Sequence, residues 1–363
     1  MGRGARSGVA LKILDRYLAG AVIGGTLATL AVLLPLLGFF LLADEVDKVG
    51  GDYQFSTAVA FVALSIPRYA YQIFPIATLI GALIGLGSLA NRSELVAMRA
   101  AGISIARIVG AALKAGALLA VVAFAVGEGI APVAEQKALQ LRSEAQSGQA
   151  TLNTPYGFWA RDGKAYVNIR EILPGAYLRD VFIYQFDNER NLKLAIHAQE
   201  ARYVKKHWIL NKIARSEISP ERVRVTHMAS ATWDSTLDPG LLDVALIEPE
   251  ALPIWRLFRY VRFMATNNQD AGPYAVAFWG KVVHPLLILA MIFLSIPILF
   301  GSARSTGMGA RVIFGILVGI GFYLVSRTFA YLALIYGVSP FAAAVIPPLL
   351  FLGTALWVLQ RVG

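Results

Sequence analysis

The sequence predicts an α-helical polytopic membrane protein, with six spanning helices and an all-β, jellyroll-like domain inserted between the third and the fourth. Three observations carry that expectation. Hydrophobic residues make up 57% of the chain, and mean hydropathy is +0.60, against roughly 45–50% apolar content in soluble domains. The apolar excess is gathered into six blocks, each long enough for the ~20 residues that a hydrocarbon core requires. Between the third and fourth blocks the pattern changes to alternation with period two, broken by turn residues.

The first block covers residues 18–42, and an acidic stretch follows it: Asp44, Glu45, Asp47, Lys48 and Asp52. The block is too long for a signal-peptide core and lacks an A-x-A cleavage site, so it reads as a retained span. The second block covers 57–90, too long for one straight span at ~1.5 Å per residue. Pro67 and Arg68 mark the expected start of its membrane portion, with a kink at Pro75. The third block covers 105–130 and continues as a helix through Glu135 to Arg142. Alternating runs then appear, such as Val167-Asn168-Ile169-Arg170 and Arg222-Val223-Arg224-Val225-Thr226. Turn clusters Arg161-Asp162-Gly163 and Asp187-Asn188-Glu189 separate them. Strand spacing leaves open a β-sandwich or a jelly roll. Three more apolar blocks follow, at 274–300, 312–336 and 341–359. The domains are therefore 1–131, 132–272 and 273–363.

The net charge of +10 lies beside apolar blocks, so membrane topology explains it and no nucleic-acid partner is expected. Arg3, Arg6, Lys12 and Arg16 precede the first span, Arg92, Arg99 and Arg107 lie between the second and third, Arg304 and Arg311 between the fourth and fifth, and Arg361 after the sixth. All fall on one side of a six-span arrangement, which the positive-inside rule makes cytoplasmic. Both termini are then cytoplasmic and the β domain lies across the membrane. The absence of cysteine excludes disulfides and fits either compartment.

Catalytic signatures are missing. No G-x-x-x-x-G-K-[ST] occurs, so the chain has no P-loop for ATP, and no G-x-S-x-G elbow is present. His197, His207, His227 and His284 lack metal-ligand spacing. An intramembrane enzyme would need paired polar residues at one depth, and the sequence singles out none. The chain is read as a non-enzyme that binds no cofactor or metal. Basic groups do stand out near the outer membrane surface: Arg68, Lys281 with His284, and Arg327. Charge inside a span usually faces protein, water or a ligand, and these groups suit phosphate. Snorkelling to ordinary headgroups is the alternative. Gly81 with Gly85, and Gly315 with Gly319, form GxxxG spacings that permit close helix contact.

The most specific feature is the segment 91–102, containing Ser93-Glu94-Leu95-Val96-Ala97-Met98-Arg99-Ala100-Ala101-Gly102. Ser93 is placed to N-cap a short helix, Glu94 and Arg99 suit the two ends of its dipole, and Gly102 is placed to end it. Leu95 and Met98 share an apolar face. The helix is either a docking peg for a cytoplasmic partner or an interfacial helix on lipid.

This segment resembles the coupling helix of the LptF/LptG lipopolysaccharide export permeases. Leu79-Ile80-Gly81-Ala82-Leu83-Ile84-Gly85-Leu86-Gly87-Ser88-Leu89-Ala90, Leu64-Ser65-Ile66-Pro67 and Phe300-Gly301-Ser302-Ala303-Arg304-Ser305 are also similar to that family. The resemblance covers essentially the whole chain, and the segments ending in Gly87 and Gly102 look most like LptG. It implies a bacterial inner-membrane ABC permease subunit in a heterodimer with an LptF-like paralogue. Two LptB-like ATPases, using ATP and Mg2+, would dock on the coupling helices. An LptC-like membrane-anchored jellyroll and a periplasmic bridge protein would receive the lipopolysaccharide. Ser93, Glu94, Leu95, Met98, Arg99 and Gly102 would then couple to the ATPase. Lys48, Arg68, Lys281 and Arg327 would meet the lipid's phosphates, and spans one and five would form a lateral gate. Relatives often carry several basic residues after the first span, where this chain has only Lys48 among acids, so Asp44, Glu45 and Asp47 raise the option of a bridging divalent cation. The competing class is a membrane scaffold or regulator that moves no lipid.

Overall fold

The computed structural model describes residues 3–50, 53–147, 152–163, 165–173, 177–187, 189, 191–204, 207–235, 237, 239, 248–267, 269–300 and 307–362. Asp52, Asn188 and residues 301–305, which contribute to the sequence reading, lie outside them. Within the described residues, six helices are long and apolar enough to cross a membrane, as the sequence predicts. They are α1 (Arg3–Val46), α2 (Phe55–Asn91), α4 (Ile105–Ala125) with its continuation α5 (Ala131–Ser147), α7 (Gly272–Phe300), α8 (Met308–Tyr336) and α9 (Pro340–Val362). The short α3 (Glu94–Ala100) lies between α2 and α4, and α6 (Ile254–Thr266) precedes α7.

The chain forms two compact units. The first holds residues 1–48, 58–138 and 272–363, and its apolar core is built chiefly from α2, α4 and α7. Helix α2 is one continuous helix of 37 residues through both Pro67 and Pro75. At ~1.5 Å per residue it exceeds the ~30 Å hydrocarbon core and extends beyond it, as the length of the block predicts.

Glycine sets the closest helix contacts. A Cβ on Gly81 would strike the backbone of Thr26 and Gly25, and one on Gly85 would strike that of Ala21. Helices α1 and α2 therefore touch backbone to backbone, as the first GxxxG spacing anticipates. Where they cross, Thr26 and Thr29 return their hydroxyls to the carbonyls of Val22 and Gly25, which leaves no polar group unsatisfied in the contact. The second spacing works differently. Gly315 and Gly319 on α8 receive the side chains of Leu83, Ile80 and Ile76 from α2.

The second unit, residues 49–57 and 139–271, holds one six-stranded sheet whose strands follow chain order. The strands are β1 (Leu152–Asp162), β2 (Ala165–Leu173), β3 (Tyr177–Phe186), β4 (Leu192–Val204), β5 (His207–Ser219) and β6 (Arg222–Trp233). Every pairing is antiparallel. This fits the jellyroll-like expectation, with a plain meander as its topology. Alternation selects the core: Val167, Ile169, Val181, Ile183 and Ala198 turn to one face and are buried. Trp208 is fully buried and donates its indole N–H to the carbonyl of Leu237 at 2.7 Å.

Candidate functional site

Two places on the first unit concentrate the residues singled out above. One is α3. Its C-terminus is closed by a Schellman arrangement: Gly102 N–H donates to Arg99 at 3.0 Å and Ile103 N–H to Met98 at 3.0 Å. Gly102 has φ 86, a left-handed geometry open to glycine, and ends the helix where the sequence placed its end. The N-terminus differs from expectation. Ser93 makes no side-chain cap and sits at φ 60. Only Arg92 and Ser93 separate α2 from α3, so the chain must reverse there, and Ser93 takes the left-handed turn. The capping serine is Ser104, whose Oγ accepts from Arg107 N–H at 3.3 Å at the head of α4.

The two faces of α3 are distinct. Leu95 is buried and Met98 packs against the transmembrane core. They anchor the helix to that core. Ser93, Val96 and Arg99 face outward. Glu94 accepts the Tyr17 hydroxyl of α1 at 2.6 Å. Nearby, Asp15 of α1 binds Arg107 at 3.0 Å and Lys114 at 2.6 Å on α4. Arg311, which the charge rule merely counts, is buried and donates to Asn91 at 3.1 Å and to the Gly87 carbonyl at 3.4 Å. It neutralises the negative end of α2.

The other place is a polar cluster among α2, α4–α5 and α7. Lys281 donates to Glu128 at 2.7 Å, with both side chains buried. Arg68 donates to Glu135 at 2.8 Å. These pairs correct the reading that no polar residues pair within the spans. The sequence analysis missed Glu128 altogether; its signal is an acid inside an apolar block, which demands a cation. Glu128 lies on a π-bulge, Val126–Ile130, between α4 and α5. The bulge shifts the helix by one residue and is a frequent mark of function. Gly127 in the bulge abuts the Tyr71 ring, where any side chain would clash.

Proline explains the histidine. Pro75 has no N–H, so the Tyr71 carbonyl loses its usual donor four residues on. His284 supplies one: its Nε2 lies 3.0 Å from that carbonyl, which requires Nε2 to carry the proton. The His284 and Tyr71 rings stack at 3.9 Å, and Lys281 Nζ lies 5.4 Å from the Tyr71 ring centroid. A cavity of about 220 Å³ adjoins this cluster, lined by Gln72, His284, Tyr323, Ser326 and Pro347 among others.

The remaining cations are placed differently. Arg327 donates to Tyr323 Oη at 3.3 Å on an exposed face of α8. Lys48 bonds Asp44 at 2.9 Å and Glu45 at 3.1 Å. Those carboxylates serve Lys48, and no group of three potential metal ligands converges among the described residues.

The model of the lipopolysaccharide export system permease LptF/LptG family matches residues 16–361. The lipopolysaccharide export system permease protein LptG of Escherichia coli (strain K12) is 35% identical over 353 residues, 96% of this chain and 98% of the relative. That of Haemophilus influenzae (strain ATCC 51907 / DSM 11121 / KW20 / Rd) is 36% identical over 354 residues, 97% of this chain and 99% of the relative. The E. coli (strain K12) LptF protein aligns at 29% over 192 residues, 51% of each chain.

Proposed function

The chain belongs to the LptF/LptG family of lipopolysaccharide export system permeases, and on that premise we propose that it is the LptG-type transmembrane subunit of an ABC transporter. In this reading it extracts lipopolysaccharide from the outer leaflet of the inner membrane and passes it to a periplasmic β-jellyroll bridge. The observation that carries the reading is coverage. The likeness to LptG relatives runs almost end to end at 35–36% identity, whereas the LptF relative aligns over about half at 29%. The subunit is non-catalytic and pairs with an LptF-like paralogue.

The finer parts of the proposal rest on the residues. Both termini and α3 are cytoplasmic and the β domain periplasmic, a reading supported by the distribution of basic residues. Two LptB-like ATPases, consuming ATP with Mg2+, dock on the α3 helices of the two permease subunits. On this chain Ser93, Glu94, Val96 and Arg99 offer the docking face, while Leu95, Met98 and Gly102 fix its angle. An LptC-like anchored jellyroll joins the assembly. Helices α1 and α8 expose long apolar faces, including Val32, Phe39, Leu317 and Leu324, and form the lateral gate. Arg327 and Lys48 reach the surface and meet lipid phosphates first. Arg68 and Lys281 engage phosphate only by releasing Glu135 and Glu128.

A photocrosslinking residue at position 327, in the chain assembled with its ATPase, tests the reading. Expected is a lipopolysaccharide adduct whose yield changes with ATP. An adduct with phospholipid alone, indifferent to ATP, would overturn it in favour of a scaffold.

A further inference from the structure

Helix α6 carries two apolar faces, and the sheet uses only one. Leu257 and Tyr260 are buried, and Phe263 packs against the sheet core. Those residues dock α6 on its own domain. On the other side Trp255 and Phe258 are 54% and 55% exposed, and Arg259 and Arg262 are exposed beside them. At ~100° per residue these four fall within one arc of about 100°. The helix contains no acidic residue. Two aromatics that remain more than half exposed beside arginines forgo part of the hydrophobic stabilisation that burial would give them.

The chain itself limits where this face can be. Residues 267–271 alone join α6 to the spanning helix α7. At a maximum of ~3.6 Å per residue, the end of α6 stays within roughly 20 Å of the start of a membrane span. Tryptophan and arginine are the residue types that settle at the headgroup level, with the ring among upper acyl carbons and the guanidinium on phosphate. A cytosolic-type solvated face would instead carry mixed charge.

We propose that the Trp255–Phe258–Arg259–Arg262 face of α6 is a membrane-surface anchor that seats the β domain on anionic phospholipid headgroups of the bilayer. The anchor fixes the domain's base to the membrane. It is independent of which lipid the protein transports.

The chain has no cysteine, so a single reporter can be placed cleanly. Phe258→Cys carries an environment-sensitive fluorophore in the full chain, assembled with cysteine-free partner subunits in nanodiscs of phosphatidylethanolamine with or without phosphatidylglycerol. Glu189→Cys, in the β3–β4 turn, is the control; it sits at the end of the sheet opposite Leu152 and Trp233, where the chain enters and leaves. Expected at 258 is quenching by nitroxide-labelled lipid and protection from aqueous iodide, with the reverse at 189. Arg259→Gln with Arg262→Gln should weaken seating in the phosphatidylglycerol discs by about fivefold for each arginine, with little change in discs lacking it. Iodide access at 258 equal to that at 189 overturns the proposal. So does protection from both quenchers, which would mean that a protein subunit covers the face. ATPase activity of both labelled forms confirms that the assembly is intact.

Discussion

Removing one member of the Lys281–Glu128 pair should be far more damaging than removing both. The two side chains are 7% and 5% exposed and 2.7 Å apart. Stripping one partner from a buried ion pair costs about 3–5 kcal/mol, because the other charge remains without compensation. Glu128→Leu still leaves Lys281 beside the Tyr71 ring at 5.4 Å, whose attraction is worth about 0.5–2 kcal/mol, which brings the cost toward about 3 kcal/mol. Lys281→Met with Glu128→Leu replaces both charges by apolar groups of similar length, and should return to within about 1 kcal/mol of the parent. Because membrane assemblies unfold irreversibly, the assay is the half-life of the reconstituted complex at a fixed elevated temperature. A loss of ~3 kcal/mol shortens that half-life by about 100-fold if the pair is broken in the transition state. The cycle therefore expects two large single effects and a small double effect. Single variants as durable as the parent would refute the burial argument. A double variant as fragile as either single would show that the two residues act separately.

Gly81→Ala should separate α1 from α2, since its Cβ would meet the backbone of Thr26 and Gly25; overpacking of this kind costs about 1–3 kcal/mol. Gly353→Ala on α9 meets nothing within 4 Å and should be neutral or stabilising, so equal thermal half-lives for the two variants would sink the close-contact argument. In the β3–β4 turn, Asp187 accepts backbone N–H bonds from Asn191 and Glu189, both at 2.8 Å. The Asn191 backbone bond above all holds its carboxyl below the usual carboxylate range. A depressed folded value stabilises the turn above the unfolded pKa of about 3.9, and that support is lost as pH falls through the depressed value. Amide exchange at Asn191, taken as a ratio to Asp187→Ala, should show protection near neutrality that vanishes in acid; a ratio independent of pH would contradict this.

What the sequence made legible follows from the range over which each signal acts. Hydropathy and alternation are properties of a segment, so the six spans emerged with little more than boundary error, and alternating runs marked β2 and β6 while β1, β4 and β5 went undelimited. Helix α2 runs on through both Pro67 and Pro75. The lost hydrogen bonds of a spanning helix can be repaired from neighbouring helices, as His284 repairs that of Pro75. No local pattern names such a donor, because Tyr71 and His284 are 213 residues apart. The ion pairs are hidden for the same reason. An acid in an apolar block announces that a cation is needed, without saying whether Lys281 or Arg68 provides it.

The two serines around α3 show the same limit at short range. Both Ser93 and Ser104 precede helices, and propensity alone cannot rank them as caps. A capping box requires Glu or Gln three residues after the serine, and Ser93 is followed at that position by Val96. Glu94, one residue on, is too close to reach back and instead meets Tyr17. The two-residue link from α2 then decides the matter. A reversal that tight needs a left-handed residue, and placing a non-glycine there costs roughly 1–2 kcal/mol. The buried Leu95 side chain offsets that cost, since burying a leucine contributes about 1.5–3 kcal/mol. The turn at Ser93 is thus fixed by packing one turn further along, which is why the outward face of α3 is set by the core beneath it rather than by its own caps.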